Sequence, residues 1–332
     1  MEPAVRARAG ERRRREVQRP RLRRAPRRQR SGRALSARVL ITGARGFAGR
    51  HLAAACEAAG DELVPGIDLL DADAVKRLVA EARPDVVYHL AARAHVGTSW
   101  REPSATVLDN VAMTLNLLEA VLAGAPGATV VAVSSGEVYG LPERLPVDES
   151  APLRPQNPYA VSKAAADVLA GFYADAHGLR VIRARAFNHA GPGQKPVYAI
   201  AAFAKQVAEG GDPARVVTGN AGTRRDFTDV RDVVRAYRLL AERAEPGIYN
   251  VCSGRAVSAA ELVAALGTAA GVAVEHVVDP ALVRAHEVME LYGSCEPLRA
   301  ATGWEPEIPL ERTLADTLAW FQAASRASTG AN

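Results

Sequence analysis

The most constraining feature of this chain is a glycine-rich turn, Thr42-Gly43-Ala44-Arg45-Gly46-Phe47-Ala48-Gly49. It lies between a short apolar run, Arg38-Val39-Leu40-Ile41, and a helical pattern that continues to about Ala59. In such a turn Gly43 permits the tight reversal, Gly46 lets backbone approach a pyrophosphate, and Gly49 lets the helix pack close to the strand. The free N–H groups and positive dipole of the helix end then favour phosphate. Glycine-rich turns are common, so the surroundings carry the weight. Strand patterns at Glu62–Val64, residues 85–90 and residues 129–133 alternate with helical patterns at Ala72–Ala82 and residues 110–123. Alternation of this kind predicts an α/β fold, a doubly wound parallel sheet with right-handed helical crossovers.

After about Ala190 the rhythm breaks into Gly-Pro loops, with helices expected at Ala199–Glu209 and residues 258–267. The strand-like residues 247–252 are expected to return to the main sheet. Three regions follow: an arginine-rich extension (1–36), a dinucleotide-binding domain of Rossmann type (37–190, with return segments near 225–253), and a smaller, interleaved α/β substrate domain (mainly 191–330). Residues 1–38 hold 15 Arg, no Lys and 3 acids, whereas the rest of the chain holds 27 basic and 34 acidic residues. The overall charge of +5 therefore belongs to the extension. With few large apolar residues to bury, the extension is expected to be disordered and without a function of its own, any binding of polyanions being nonspecific. No nucleic-acid partner is expected for the folded body. A signal peptide needs an apolar stretch of about 7–15 residues after its basic start, and none follows. No continuous run of about 18 apolar residues exists, so no membrane span is expected. Cys56, Cys252 and Cys295 are scattered without metal spacing, which predicts no metal site and a cytoplasmic, reducing setting.

Asn157-Pro158-Tyr159-Ala160-Val161-Ser162-Lys163 opens a helix, with Asn157 as cap and Pro158 in the first position. Tyr159 and Lys163, four apart, project from one face. A phenol is normally a poor acid, with a pKa of about 10. An ammonium at about 4–5 Å is worth roughly 3–4 kcal/mol at an effective dielectric near 20, enough to bring the phenol toward about 7–8. Tyr-x-x-x-Lys alone is as readily a surface pair. It acquires meaning from Val133-Ser134-Ser135-Gly136-Glu137-Val138-Tyr139-Gly140, which ends a strand at the edge where open parallel sheets bind ligands. Ser135 there can hold a substrate carbonyl near the Tyr159 phenol.

Together with His89-Leu90-Ala91-Ala92, these motifs resemble the extended short-chain dehydrogenase/reductase family (NAD-dependent epimerase/dehydratase type) from about Arg38 to Phe321. The resemblance implies a catalytic trio of Ser135, Tyr159 and Lys163, with Glu137 where the family places a carboxylate base. It implies cofactor contacts from Gly43, Arg45, Gly46, Phe47, Gly49, Asp68, Leu69, Leu90, Ala91 and Ala92, with Tyr159 and Lys163. Residues 185–194, 224–232 and 249–254 resemble the branch acting on GDP-activated 6-deoxyhexoses. That implies Arg225 and Arg284 on the substrate diphosphate, Asn188 at the sugar or first phosphate, and Glu287 at the ribose.

Within this branch the expected reaction is reduction of a GDP-4-keto-6-deoxyhexose to a product of the GDP-rhamnose type. The alternatives are a 4,6-dehydratase or another sugar-nucleotide epimerase/dehydratase, and more remotely a non-catalytic dinucleotide sensor. Glu137 suits a dehydratase, but related reductases resemble it at this position. The short span between Gly60 and Asp73 lacks the longer basic insertion of GDP-mannose dehydratases and favours the reductase. Arg45 beside the second glycine favours NADP(H), with NAD(H) possible through Asp68. Ala285 and Ser294 depart from the family pattern near the expected nucleotide pocket and leave UDP and dTDP sugars open. The family also implies a homodimer joined through the Tyr159 helix and the helix preceding it.

Overall fold

The structure is a computed structural model that describes residues 36–283 and 288–329. The first half alternates as expected: β1 (Arg38–Thr42), α1 (Phe47–Ala58), β2 (Glu62–Val64), α2 (Ala72–Ala82) and β3 (Val86–His89). Then come α3 (Val96–Arg101), α4 (Pro103–Gly124), β4 (Thr129–Ser135), α5 (Pro158–His177) and β5 (Arg180–Ala186). The second half comprises β6 (Asn188–Ala190), α6 (Ala199–Glu209), β7 (Ala214–Thr218), β8 (Arg224–Asp229), α7 (Val230–Arg243) and β9 (Gly247–Val251). It ends with β10 (Ala256–Ser258), α8 (Ala259–Ala270), β11 (Val274–Val278), β12 (Glu290–Leu291), α9 (Glu296–Thr302) and α10 (Leu310–Thr329).

Six strands form one parallel sheet in the order β2-β1-β3-β4-β5-β9. Alternate strand residues feed two cores. Leu40, Val87, Val130 and Val181 face α2, α4 and α5, whereas Val39, Ile41, Val131 and Ile182 face α1 and α7. Burial on both faces explains why these strands read as continuous apolar runs. The strand order reverses between β1 and β3, which opens a crevice at their carboxyl ends.

Of the return segments anticipated near 225–253, α7 and β9 rejoin the main layers, while β8 instead pairs with β10, β12 and β6. A third core gathers Ile200, Phe203, Val216, Leu262, Leu266, Leu314 and Leu318 from α6, β7, α8 and α10. Helix α8 starts on a reciprocal capping box between Ser258 and Glu261.

Helix α4 begins two turns before the expected residue 110, because Pro103 starts it at the first helical position. By length and composition α4 is the one described helix long and apolar enough to cross a membrane. Its polar Thr and Asn residues interrupt any continuous apolar run. It packs against α2 and α5 and buries Leu117, Leu118 and Val121 in the core.

Candidate active site

The crevice between β1 and β3 is shaped by backbone. Gly43 has φ +75°, and a Cβ there would lie 2.9 Å from the Ala91 nitrogen. A Cβ on Gly49 would fall 2.1 Å from the Gly43 carbonyl oxygen, so the helix approach requires glycine. Helix α1 starts at Phe47 with Gly46 as cap, no side-chain cap and no acid in its first turn. Its leading N–H groups are thus left for an external anion. A buried triad ties the two strand ends together: His89 Nδ1 lies 2.8 Å from Thr42 Oγ1, and His89 Nε2 lies 3.0 Å from Thr114 Oγ1. Thr42 Oγ1 also accepts from the Ala91 amide at 3.2 Å. Burial, aided by the Lys163 charge, pushes His89 down to about 3, so the link is a neutral imidazole.

Leu90, Ala91 and Ala92 are half-buried on the β3 side, and Phe47 stacks on His189 with ring centres 5.9 Å apart. Arg45 stands exposed beside Gly46. Asp68 accepts from the Leu70 amide at 3.0 Å. The Leu69 side chain is 3% exposed in the core, and its carbonyl accepts from Asn116 Nδ2. Any contact it makes with a cofactor is through backbone. These features, an uncapped helix end over a glycine turn that any Cβ would fill, fit a dinucleotide diphosphate.

Strand β4 delivers Ser135 to the sheet edge, and α5 brings Tyr159 and Lys163 to the same place. Asn157 caps α5 by accepting from the Ala160 amide at 2.8 Å, and its Nδ2 donates to Glu137 Oε2 at 3.1 Å. One residue thus starts the Tyr159 helix and holds the Glu137 carboxylate. On the other flank Asn110 of α4 donates to Ser162 Oγ at 2.8 Å, and Ser162 Oγ donates to the Tyr159 carbonyl at 2.7 Å. Asn110 was not foreseen; only the α4–α5 contact reveals it.

The expected lowering of Tyr159 by Lys163 is not what the structure shows. Burial pushes the phenol well above its ordinary value, the Ser135 hydroxyl lowers it through a hydrogen bond, and the charges of Glu137 and Tyr198 raise it further. Lys163 instead donates to the Val133 carbonyl. Burial pushes the ammonium itself down to about 8, against the opposing pull of Asp167. Spacing on a helix put the two side chains on one face, but the ammonium is bonded to a sheet carbonyl. Tyr198, at the start of α6 and edge-on to His95, is a further phenol of this site that the sequence did not single out.

The cleft beside the trio is lined by Ser135, Gly136, Glu137, Ala186, Phe187, Asn188, Arg225, Asp226 and Leu291. The expected Ser135, Glu137, Asn188 and Arg225 thus meet around one space. A Cβ on Gly136 would press to 3.0 Å from the Phe187 ring, which leaves no room for a side chain there. Arg225 donates to the Arg224 carbonyl at 2.9 Å. Asp226, unremarked in the sequence, is buried and accepts from the Ser253 amide and hydroxyl and from the Gly254 amide, at 2.6–2.9 Å. Burial raises its pKa while these donors oppose the rise. It shapes the floor of the cleft. Arg284 and Glu287 lie outside the described residues. Among the described residues no three His, Cys, Asp or Glu side chains are grouped to hold a metal.

The family model described as GDP-mannose 4,6 dehydratase matches residues 63–317. A GDP-6-deoxy-D-mannose reductase of Pseudomonas aeruginosa is 40% identical, the match covering 88% of this chain and 99% of that protein. A GDP-mannose 4,6-dehydratase of Yersinia enterocolitica is 28% identical over 76% of this chain and 77% of that one. Among solved structures, RMD from Pseudomonas aeruginosa complexed with NADPH superposes with a TM-score of 0.81 at 40% identity, covering 87% of this chain and all of that one. The UDP-glucose 4-epimerase of Thermus thermophilus complexed with NAD superposes at 0.78, with 34% identity over 86% of this chain and 99% of that one.

Proposed function

Because the chain belongs to the GDP-mannose 4,6-dehydratase family of extended short-chain dehydrogenases/reductases, we propose that it reduces the 4-keto group of a GDP-4-keto-6-deoxyhexose. The observation that carries this reading is the 40% identity along 99% of a GDP-6-deoxy-D-mannose reductase. The nicotinamide, when bound, supplies hydride to C4. Gly43, Gly46 and the α1 amino end hold its diphosphate, with Leu90–Ala92 along the opposite wall. Ser135 donates to the C4 carbonyl oxygen and keeps it against the Tyr159 phenol. Tyr159 passes its proton to that oxygen as negative charge develops there. A buried phenol that retains its proton at neutral pH suits this direction, since reduction needs an acid. Lys163 would hold the ribose hydroxyls of the bound cofactor, and its positive charge would offset the negative charge left on Tyr159. Arg225 and Asn188 line the path of the substrate diphosphate and sugar, and Arg284 and Glu287 are assigned to the nucleotide by resemblance.

NADP(H) is the favoured cofactor, because exposed Arg45 beside Gly46 suits a 2′-phosphate; NAD(H) is the alternative. The enzyme is read as a homodimer. Leu108 and Leu115 on α4, with Val161, Val168 and Phe172 on adjoining α5, form an exposed apolar stripe, from 39% exposed at Leu115 to 67% at Leu108. A second reading, 4,6-dehydration, is favoured by Glu137, the carboxylate such an elimination needs. The test incubates the protein with GDP-4-keto-6-deoxy-mannose and NADPH or NADH and follows loss of reduced-nicotinamide absorbance. Stoichiometric oxidation, abolished in Tyr159→Phe, supports the reductase and names the cofactor. Release of a keto sugar from GDP-mannose without net oxidation supports the dehydratase.

A further inference from the structure

The trio is split between two elements: Ser135 ends β4, with Glu137 just beyond it, while Tyr159 and Lys163 ride on α5. Their spacing must hold to within about 0.5 Å for proton transfer. Apolar packing between a helix and a sheet is non-directional and does not by itself fix the axial position of the helix. A buried polar network does so here. Tyr159, Lys163 and Asp167 are spaced by four and lie on one stripe of α5. The Asp167 side chain is fully buried and takes a two-pronged grip from Arg185, Nε to Oδ2 at 3.0 Å and Nη2 to Oδ1 at 3.0 Å. The remaining prong, Nη1, donates to the Tyr139 hydroxyl at 3.0 Å, and the guanidinium lies 5.0 Å from the centre of that ring. Tyr139 belongs to the short turn Gly136–Tyr139 that carries Glu137 directly after Ser135. Its hydroxyl donates to Asn250 Oδ1 at 2.7 Å, and Asn250 Nδ2 donates to the carbonyls of Val147 and Ser294. Arg185 itself sits on β5, in register with Ser134 of β4.

We propose that Arg185 is the positioning residue of the catalytic trio, its one buried guanidinium gripping α5 through Asp167 and the Ser135–Glu137 segment through Tyr139. A planar fork with three engaged nitrogens accepts one relative placement of these partners, which a lysine point charge cannot impose. Burying an ion pair is a poor route to stability, because desolvation offsets the attraction. Its retention beneath the active site is explained by the geometry it enforces. Arg183 marks the contrast: it also reaches Asp167, at 3.2 Å, but is partly exposed and has no bond to Tyr139.

The inference rests on the reductase reading for its kinetic arm only. Tyr139→Phe keeps the ring and removes one hydroxyl; Arg185→Lys keeps the charge and removes the fork; Arg183→Gln is the control. Circular dichroism verifies folding of each. The expected result is a kcat about tenfold lower or more in Tyr139→Phe and Arg185→Lys, with KM for the keto sugar within about twofold, as displacement of a proton donor by a fraction of an ångström produces. Arg183→Gln retains wild-type kcat. A crystal structure of Tyr139→Phe is expected to show the Ser135 and Tyr159 hydroxyls drawn apart relative to wild type. Wild-type kcat and an intact trio in Tyr139→Phe, or an equal loss in Arg183→Gln, overturns the proposal. If wild-type protein oxidises no reduced nicotinamide with GDP-4-keto-6-deoxy-mannose, the reductase reading fails, and the crystallographic arm still decides the role of Arg185.

Discussion

Lys163→Met should produce a protein that is inactive and more stable. Methionine keeps an unbranched stem of similar length and removes the ammonium. Lys163 is 5% exposed, and burial lowers its pKa from 10.5 to about 8. At 1.36 kcal/mol per pKa step, the folded state bears about 3 kcal/mol for keeping this group charged. The hydrogen bond to the Val133 carbonyl returns about 1 kcal/mol, so the variant should gain about 2 kcal/mol at neutral pH. The sign with pH follows from the depressed folded value. Below about pH 8 both folded and unfolded wild type are protonated and the full cost is present. Between about 8 and 10.5 the unfolded chain holds the proton that the folded chain has released, so wild-type stability from this group rises with pH. Urea denaturation of both proteins near pH 7 and near pH 10, compared as a difference, cancels the titration of the other groups. The gap in favour of the variant should close across that window. A wild type at least as stable as Lys163→Met at neutral pH, or a gap independent of pH, would refute the reasoning. Activity should fall by about 10²-fold or more, because the ribose loses its anchor and the charge left on Tyr159 loses its neighbouring cation, which places stability and function in opposition at this residue.

Other outcomes follow from the same geometry. Gly49→Ala should abolish dinucleotide binding and cost ~1–3 kcal/mol, because its Cβ meets the Gly43 carbonyl at 2.1 Å; calorimetry and nicotinamide fluorescence read both effects. Asn157→Asp should keep the α5 cap and lose the donor to Glu137, so activity falls with little change in melting temperature, whereas Asn157→Ala also loses about 1 kcal/mol of capping. Val168→Asp with Phe172→Asp should yield monomers in sedimentation if the α4–α5 stripe is the subunit contact. Because burial holds the Tyr159 proton tightly, kcat for reduction should stay level through neutral pH and decline only in the alkaline range; a decline beginning near pH 7 would contradict this environment.

What the sequence determined by itself was local. The glycine turn, the Asn157-Pro158 helix start and the four-residue separation of Tyr159 and Lys163 are short-range geometry, set by backbone sterics and helical period. The alternation of apolar strands and helices prescribed the doubly wound sheet, since parallel strands need helical crossovers. Ser135 was legible because it ends an apolar strand on the ligand-binding edge.

Tertiary structure decided what depends on partners distant in the chain. Tyr139 meets Arg185 across 46 residues and Asn250 across 111, and no local pattern marks such pairings. That the Leu69 side chain turns into the core is likewise set by packing. The direction in which the Tyr159 phenol shifts was reversed for the same reason. Helical spacing supplied the neighbouring ammonium, but folding placed the Val133 carbonyl within its reach and withdrew water from the phenol. Desolvation is a property of everything packed around a group, and therefore of the assembled fold rather than of any stretch of sequence.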